Sequence, residues 1–117
     1  MGLDTTHDCW HGSYCSFHGW RKAVCFAAGL GNLDERVGFA DAGVAGLPWT
    51  EDDPLIALLD HSDCEGQIDA EDCGPLADRL EALLPELTAE PWHQEATEQF
   101  IAGLRQAAAE GEDVIFK

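Results

Sequence analysis

The chain has very little positive charge. Lysine and arginine together number 6 in 117 residues against 23 aspartates and glutamates, a formal net charge of −17, and its lysines are Lys22 and Lys117 alone. Nucleic acid is therefore disfavoured as a direct partner, because phosphate contacts need clustered basic side chains to displace counterions. An anionic membrane surface is disfavoured for the same reason. No apolar run is long enough to span a bilayer, and the opening MGLDTTHDCWHG lacks the basic start and apolar stretch of a secretory signal, so cytoplasmic residence is expected. Cys9, Cys15, Cys25, Cys64 and Cys73 are odd in number and form no C-x-x-C pair, which argues for reduced thiols over a disulfide framework. G-x-S-x-G elbows, phosphate-cradling glycine loops and H-E-x-x-H are all missing, and that weighs against an enzyme.

What is present is enough to fold. With hydrophobic residues at 45% and charged ones at 25%, the composition is that of an ordinary globular chain, and the length suits one domain over 1–117. Gly12 and Ser13 make a break and an N-cap, after which Phe17, Trp20 and Val24 recur at steps of three and four towards Gly29, predicting a helix with one core face. Leu30 to Trp49 is the least periodic stretch and reads as loop, with one turn of helix at the helix-compatible piece LDERV. Asp53 and Pro54 signal the start of a short helix through Leu59. Leu76, Leu80, Leu83, Leu84 and Leu87 form a helical stripe that Pro85 should end. A last helix is predicted from Pro91 to Glu110, with Trp92, Ala96, Phe100, Leu104 and Ala108 as its apolar stripe and Gly111 as its stop. Residues 2 to 9 and the alternating tail EDVIFK read as strands that pair. The fold class expected is mainly α (α+β), a compact bundle of about four helices with a small two-stranded sheet from the chain ends.

Two segments carry ligand-type residues. Between two helical patterns, DHSDCEGQIDAED resembles an EF-hand: with Gly66 at the sixth loop position, Asp63, Glu65, Asp69 and Asp72 fall on the third, fifth, ninth and twelfth, Gln67 offers its carbonyl, and Ile68 takes the hydrophobic eighth. A hard cation, calcium or magnesium, wants such alternating oxygens. His61 in place of the first aspartate departs from the pattern and is better suited to a transition metal. The bland alternative is an acidic turn in which Gly66 supplies a positive φ and Asp69 or Asp72 caps the next helix. In the second segment, HDCWHGSYCSFH, His7, Cys9, His11, Cys15 and His18 are zinc-type ligands. His7, Cys9 and His11 would share one strand face, while Cys15 and His18 would lie together on the helix, away from its core side.

The opening MGLDTTHDCWHG, the HSDCEG segment and the ending LRQAAAEGEDVIF together resemble an uncharacterised family of small acidic proteins from bacteria and their viruses. That resemblance supplies no activity. The functional expectation is a non-catalytic acidic binding protein, an inhibitor, decoy or adaptor engaging a basic protein surface through Asp60, Asp63, Glu65, Asp69, Glu71 and Asp72, with Trp10 and Trp49 as anchors or pocket walls. The alternatives are a divalent-metal module and a protein that sequesters a small molecule against tryptophan.

Overall fold

Ser13 caps the first long helix as its position suggests: its Oγ accepts a hydrogen bond from the Ser16 backbone N–H at 3.0 Å. The computed structural model describes residues 2–31, 33, 53–59, 66–88 and 90–116. Among these lie helices α1 (Tyr14–Ala27), α2 (Ile56–Leu59), α3 (Ala70–Leu83) and α4 (Pro91–Glu110). Four short strands accompany them: β1 (Gly2–Asp4), β2 (His11–Ser13), β3 (Gly66–Ile68) and β4 (Val114–Phe116). The mainly helical class with minimal antiparallel sheet is thus the one expected. None of the described helices is long and apolar enough to cross a membrane. The glycine-rich stretch read as loop lies, over 34–52, outside the described residues.

The strands are arranged more locally than the sequence led one to expect. The first dozen residues form a hairpin, with Leu3 opposite Gly12 and Asp4 opposite His11, closed by a 3-10 turn over Thr6–Asp8. The tail strand β4 takes β3 as its antiparallel partner, Ile68 opposite Val114, and meets the N-terminal segment at a single bridge between Thr5 and Phe116. The chain ends do come together, but each has a nearer strand to pair with. Alternation along β4 follows from this: Val114 and Phe116 are buried and Ile115 is exposed.

Aromatic packing builds the centre of the core. Trp10 stacks on Trp20 with centroids 5.4 Å apart, Trp20 lies 4.9 Å from Phe100, and Phe17 meets Phe116 edge-on at 5.5 Å. These rings come from the hairpin, α1, α4 and β4, so the cluster ties both chain ends to the two long helices. Trp20 satisfies its indole N–H by donating to Thr97 Oγ1 at 2.9 Å. Arg21 is fully buried, its guanidinium 4.5 Å above the Phe17 ring and donating to the Leu58 carbonyl, which fastens α2 to α1.

Helices α3 and α4 depart from the sequence reading in instructive ways. Helix α3 begins six residues before Leu76 and runs through Pro75. The ring there removes the N–H that would donate to the Glu71 carbonyl, in an early turn whose Glu71, Asp72 and Pro75 are exposed. Asp69 occupies the N-cap position without capping; Asp113, from the segment entering β4, accepts the Ala70 N–H at 2.8 Å instead. Helix α4 has the predicted bounds and a left-handed Gly111 at its end, yet buries His93, Thr97, Phe100, Ile101, Gly103, Leu104 and Ala107. Trp92 and Ala108 are exposed. A stripe in strict steps of four drifts by about 40° per step around a helix, so it cannot stay on one face for four turns. The buried face mixes threes and fours.

Candidate functional site

The hairpin turn lies flat against α4, and Gly103 is the reason it can. A Cβ at Gly103 would stand 2.7 Å from the His7 carbonyl oxygen and closer still to Cys9 Sγ. With hydrogen there instead, the turn sits directly on the helix backbone, and Gln99 donates from α4 to the Asp8 carbonyl at 2.9 Å. His7 and Asp8 both have left-handed backbones, φ 62° and 55°, a conformation that costs a non-glycine residue roughly 1–2 kcal/mol. The bonds that hold them there include Trp10 N–H to Thr5 Oγ1 at 2.9 Å and Ile115 N–H to Thr6 Oγ1 at 3.0 Å.

The consequence is that two histidines reach out from the hairpin, each between two carboxylates. His7 Nε2 stands 3.0 Å from Glu112 and 3.4 Å from Glu110 at the end of α4, while its Nδ1 shares a 2.9 Å hydrogen bond with Thr6 Oγ1. The contact with His7, and secondarily that with Glu110, holds the Glu112 carboxyl below its usual pKa. His11 is bridged by Asp4 at Nδ1 and Asp8 at Nε2, both at 2.8 Å. Those bonds, Asp4 first and Asp8 second, raise its pKa, since each carboxylate favours the imidazolium. No lysine or arginine occurs in residues 1–13, and Arg105 of α4 is turned to Asp78 and Glu81 of α3.

Beside His11 opens a cavity of about 300 Å³ between the hairpin and the first half of α4, walled by Trp10, Trp92, Glu95 and Gln99. Trp92, 38% exposed, presents its ring edge-on to Trp10 at 6.4 Å. Trp10 is 94% shielded, and its Nε1 is buried with no hydrogen-bond partner among the described residues. That atom faces Gly12 on the cavity wall, where an added Cβ would come within 3.4 Å of it. A buried indole N–H with no acceptor is uncommon, because leaving it unpaired costs about 1–3 kcal/mol.

The five residues weighed as zinc ligands do not converge. Cys9 Sγ packs against Gly103 in the core, where burial pushes its thiol up to about 12. His7 and His11 go to separate carboxylate pairs, Cys15 is exposed and His18 half-buried. The strand that would have aligned His7 with Cys9 and His11 is broken by the left-handed turn. Among the described residues, the one group of metal-type ligands within mutual reach is His7 with Glu110 and Glu112.

Of the EF-hand-like set, His61, Asp63 and Glu65, with Asp60, lie outside the described residues, as does Trp49. Of the described remainder, Gly66, Gln67 and Ile68 form β3. Gln67 donates to Asp69 at 3.0 Å from within β3, Ile68 is buried, and Gly66 has a φ of 140°. Asp69, Glu71 and Asp72 are exposed around the start of α3. Trp92, Glu95, Gln99, Glu110 and Glu112 were not singled out as site residues from the sequence; His7 and Glu112 are 105 positions apart, and no local spacing signals such a meeting.

A comparison of the chain with protein-family models finds no match, and comparisons with curated proteins and with solved structures find none either.

Proposed function

We propose that the protein is a non-catalytic binding protein that engages a basic protein surface, as an inhibitor, decoy or adaptor, through the face made by the N-terminal hairpin and α4. One observation carries this: the exposed carboxylates Asp4, Asp8, Glu95, Glu110 and Glu112 have only His7 and His11 as described counter-charges on that face. In contrast, the carboxylates Asp53, Asp78 and Glu81 are matched by Arg79 and Arg105. Uncompensated charge around an aromatic-lined cavity steers and then seats a cationic partner. The test is binding of a synthetic peptide rich in lysine and arginine at low and physiological salt. Neutralising Asp4, Asp8 and Glu95 together is expected to weaken binding far more than neutralising Glu71, Asp72 and Glu86. Equal weakening by the two triples would refute the placement.

A second reading is favoured by the His7 cluster: a divalent transition-metal site with His7, Glu110 and Glu112 as ligands, a different set from those the sequence pointed to. A tetrahedral zinc with bonds of about 2.0–2.1 Å holds its ligand atoms about 3.3–3.4 Å apart, near the 3.0 and 3.4 Å separations here. The Thr6 hydroxyl on Nδ1 is the kind of outer partner that orients a ligating imidazole. Zinc titration by calorimetry, with wild type against His7→Ala, decides it: heat that is the same for both removes this reading.

A further inference from the structure

His11 stands between two acceptors, and that fixes the charge it must carry there. Its Nδ1 is 2.8 Å from Asp4 and its Nε2 is 2.8 Å from Asp8. An ionised carboxylate can only accept hydrogen bonds, and a neutral imidazole has one N–H and one lone pair, so both bonds form together only when the ring holds two protons. His7 differs in this respect. Its Nδ1 meets the Thr6 hydroxyl, which either donates or accepts, while its Nε2 faces the carboxylates, so the neutral ring keeps its partners. A neutral His11 instead turns a lone pair towards one of its two carboxylates and releases it. Both aspartate side chains are exposed, so the freed carboxylate enters solvent without disturbing the core.

The other groups facing His11 add negative charge or none. Asp4 comes from β1 and Asp8 from the turn, Glu95 of α4 lines the same cavity as His11, and α1 presents Ser16 there. Cys9, also on that wall, keeps its proton, since burial pushes its thiol up to about 12. We infer that His11 is a proton-operated counter-charge of the acidic face: as imidazolium it occupies Asp4 and Asp8, and on losing its proton it yields one of them to the basic partner, so binding strengthens as pH rises. This rests on the acidic-face reading and adds the regulation of that face. Asp4 first and Asp8 second raise the His11 pKa by favouring the imidazolium. A cationic partner that takes either aspartate competes with that proton, so each binding event releases up to one proton; affinity climbs as pH passes upward through the folded His11 value and is level above it. By the same linkage, bound partner moves the His11 titration to lower pH.

The experiment measures binding of an acetylated, amidated peptide of alternating arginine and glycine to the whole protein at low salt, from about pH 6 to about pH 8.5, the range in which imidazoles titrate and guanidinium does not. The His11 ring resonances are titrated alongside, with and without peptide. Wild-type affinity is expected to rise by about fivefold or more across that range, and saturating peptide to shift the His11 midpoint to lower pH. His11→Asn, which keeps a donor for one aspartate and takes up no proton, should bind at the low end of the range as tightly as wild type does at the high end. A His11 that only supports the hairpin would make that variant weaker instead. The Trp20 indole N–H resonance, set by its bond to Thr97, verifies that the variant keeps its fold, and the wild-type titration decides the matter without it. Wild-type affinity level with pH, a His11 midpoint unmoved by saturating peptide, or a folded His11→Asn that keeps the wild-type pH slope overturns the proton-operated counter-charge and leaves the acidic-face reading standing. Absence of binding at every pH overturns both.

Discussion

Replacing Gly103 by alanine sets two physical effects of opposite sign against each other. In a helix interior alanine is favoured over glycine by about 1 kcal/mol, and Gly103 lies deep within α4. Against that gain, the new methyl would lie 2.7 Å from the His7 carbonyl oxygen, 3.1 Å from Cys9 Cα and nearer still to Cys9 Sγ. The first two neighbours are backbone atoms of a turn already held in left-handed geometry, so relief requires the hairpin to lift off α4. Overpacking of this kind costs about 1–3 kcal/mol, and lifting the turn also loosens the Gln99 bond to Asp8 and the His7 contact with Glu112. The net expectation is a loss of roughly 1–2 kcal/mol, equivalent to a melting point lower by about 4–8 °C. Gly19, in α1, is the control, because a Cβ there meets nothing within 4 Å. Gly19→Ala should stabilise by up to about 1 kcal/mol. Thermal and urea unfolding of the two variants gives the answer, and a stabilised Gly103→Ala would refute the close approach of hairpin and helix on which the whole candidate site depends.

Thr97→Val keeps the shape of a buried side chain but deprives Trp20 Nε1 of its acceptor, so urea denaturation should show a loss of about 1–3 kcal/mol. The buried His93 has a lowered pKa from desolvation, and its Nδ1 has no partner among the described residues. The fold therefore resists protonating it, and its contribution is complete above the unfolded value near about 6.5 and is lost as pH falls towards the folded one. Urea midpoints between pH 5 and 7 should fall less steeply in His93→Leu than in wild type; parallel slopes would contradict this. His11 works in the opposite sense: its raised pKa adds stability that is fully present below about 6.5 and fades as pH rises through the folded value, so His11→Asn should lose most at mildly acidic pH. Burial also pushes the Cys73 thiol up to about 11 and that of Cys9 to about 12. Among Cys9, Cys15 and Cys73, iodoacetamide at pH 8 should then label the exposed Cys15 in the native protein, and rapid labelling of the other two, read by mass spectrometry, would show that the core is open.

Features settled within a turn or two of the chain were readable from the sequence by itself. Ser13 caps α1, Phe17, Trp20 and Val24 share its buried face, Asp53 starts the short α2 turn through the Leu55 N–H, and Pro91 and Gly111 bound α4, because caps, φ limits and helical periodicity act between near neighbours. What depends on neighbours far along the chain was decided by the tertiary structure. Which face of α4 is buried follows from where α1, α3 and the hairpin press on it, and Asp113 displaces Asp69 as the cap of α3 only because β4 lies alongside β3. The candidate site belongs to this second group. His7 finds Glu110 and Glu112, and Trp10 finds Trp92 and Glu95, across nearly the whole chain, through a contact made possible by a missing side chain at Gly103. Spacing reports what a single helix or strand aligns; it carries no information about which two surfaces fit closely enough to touch.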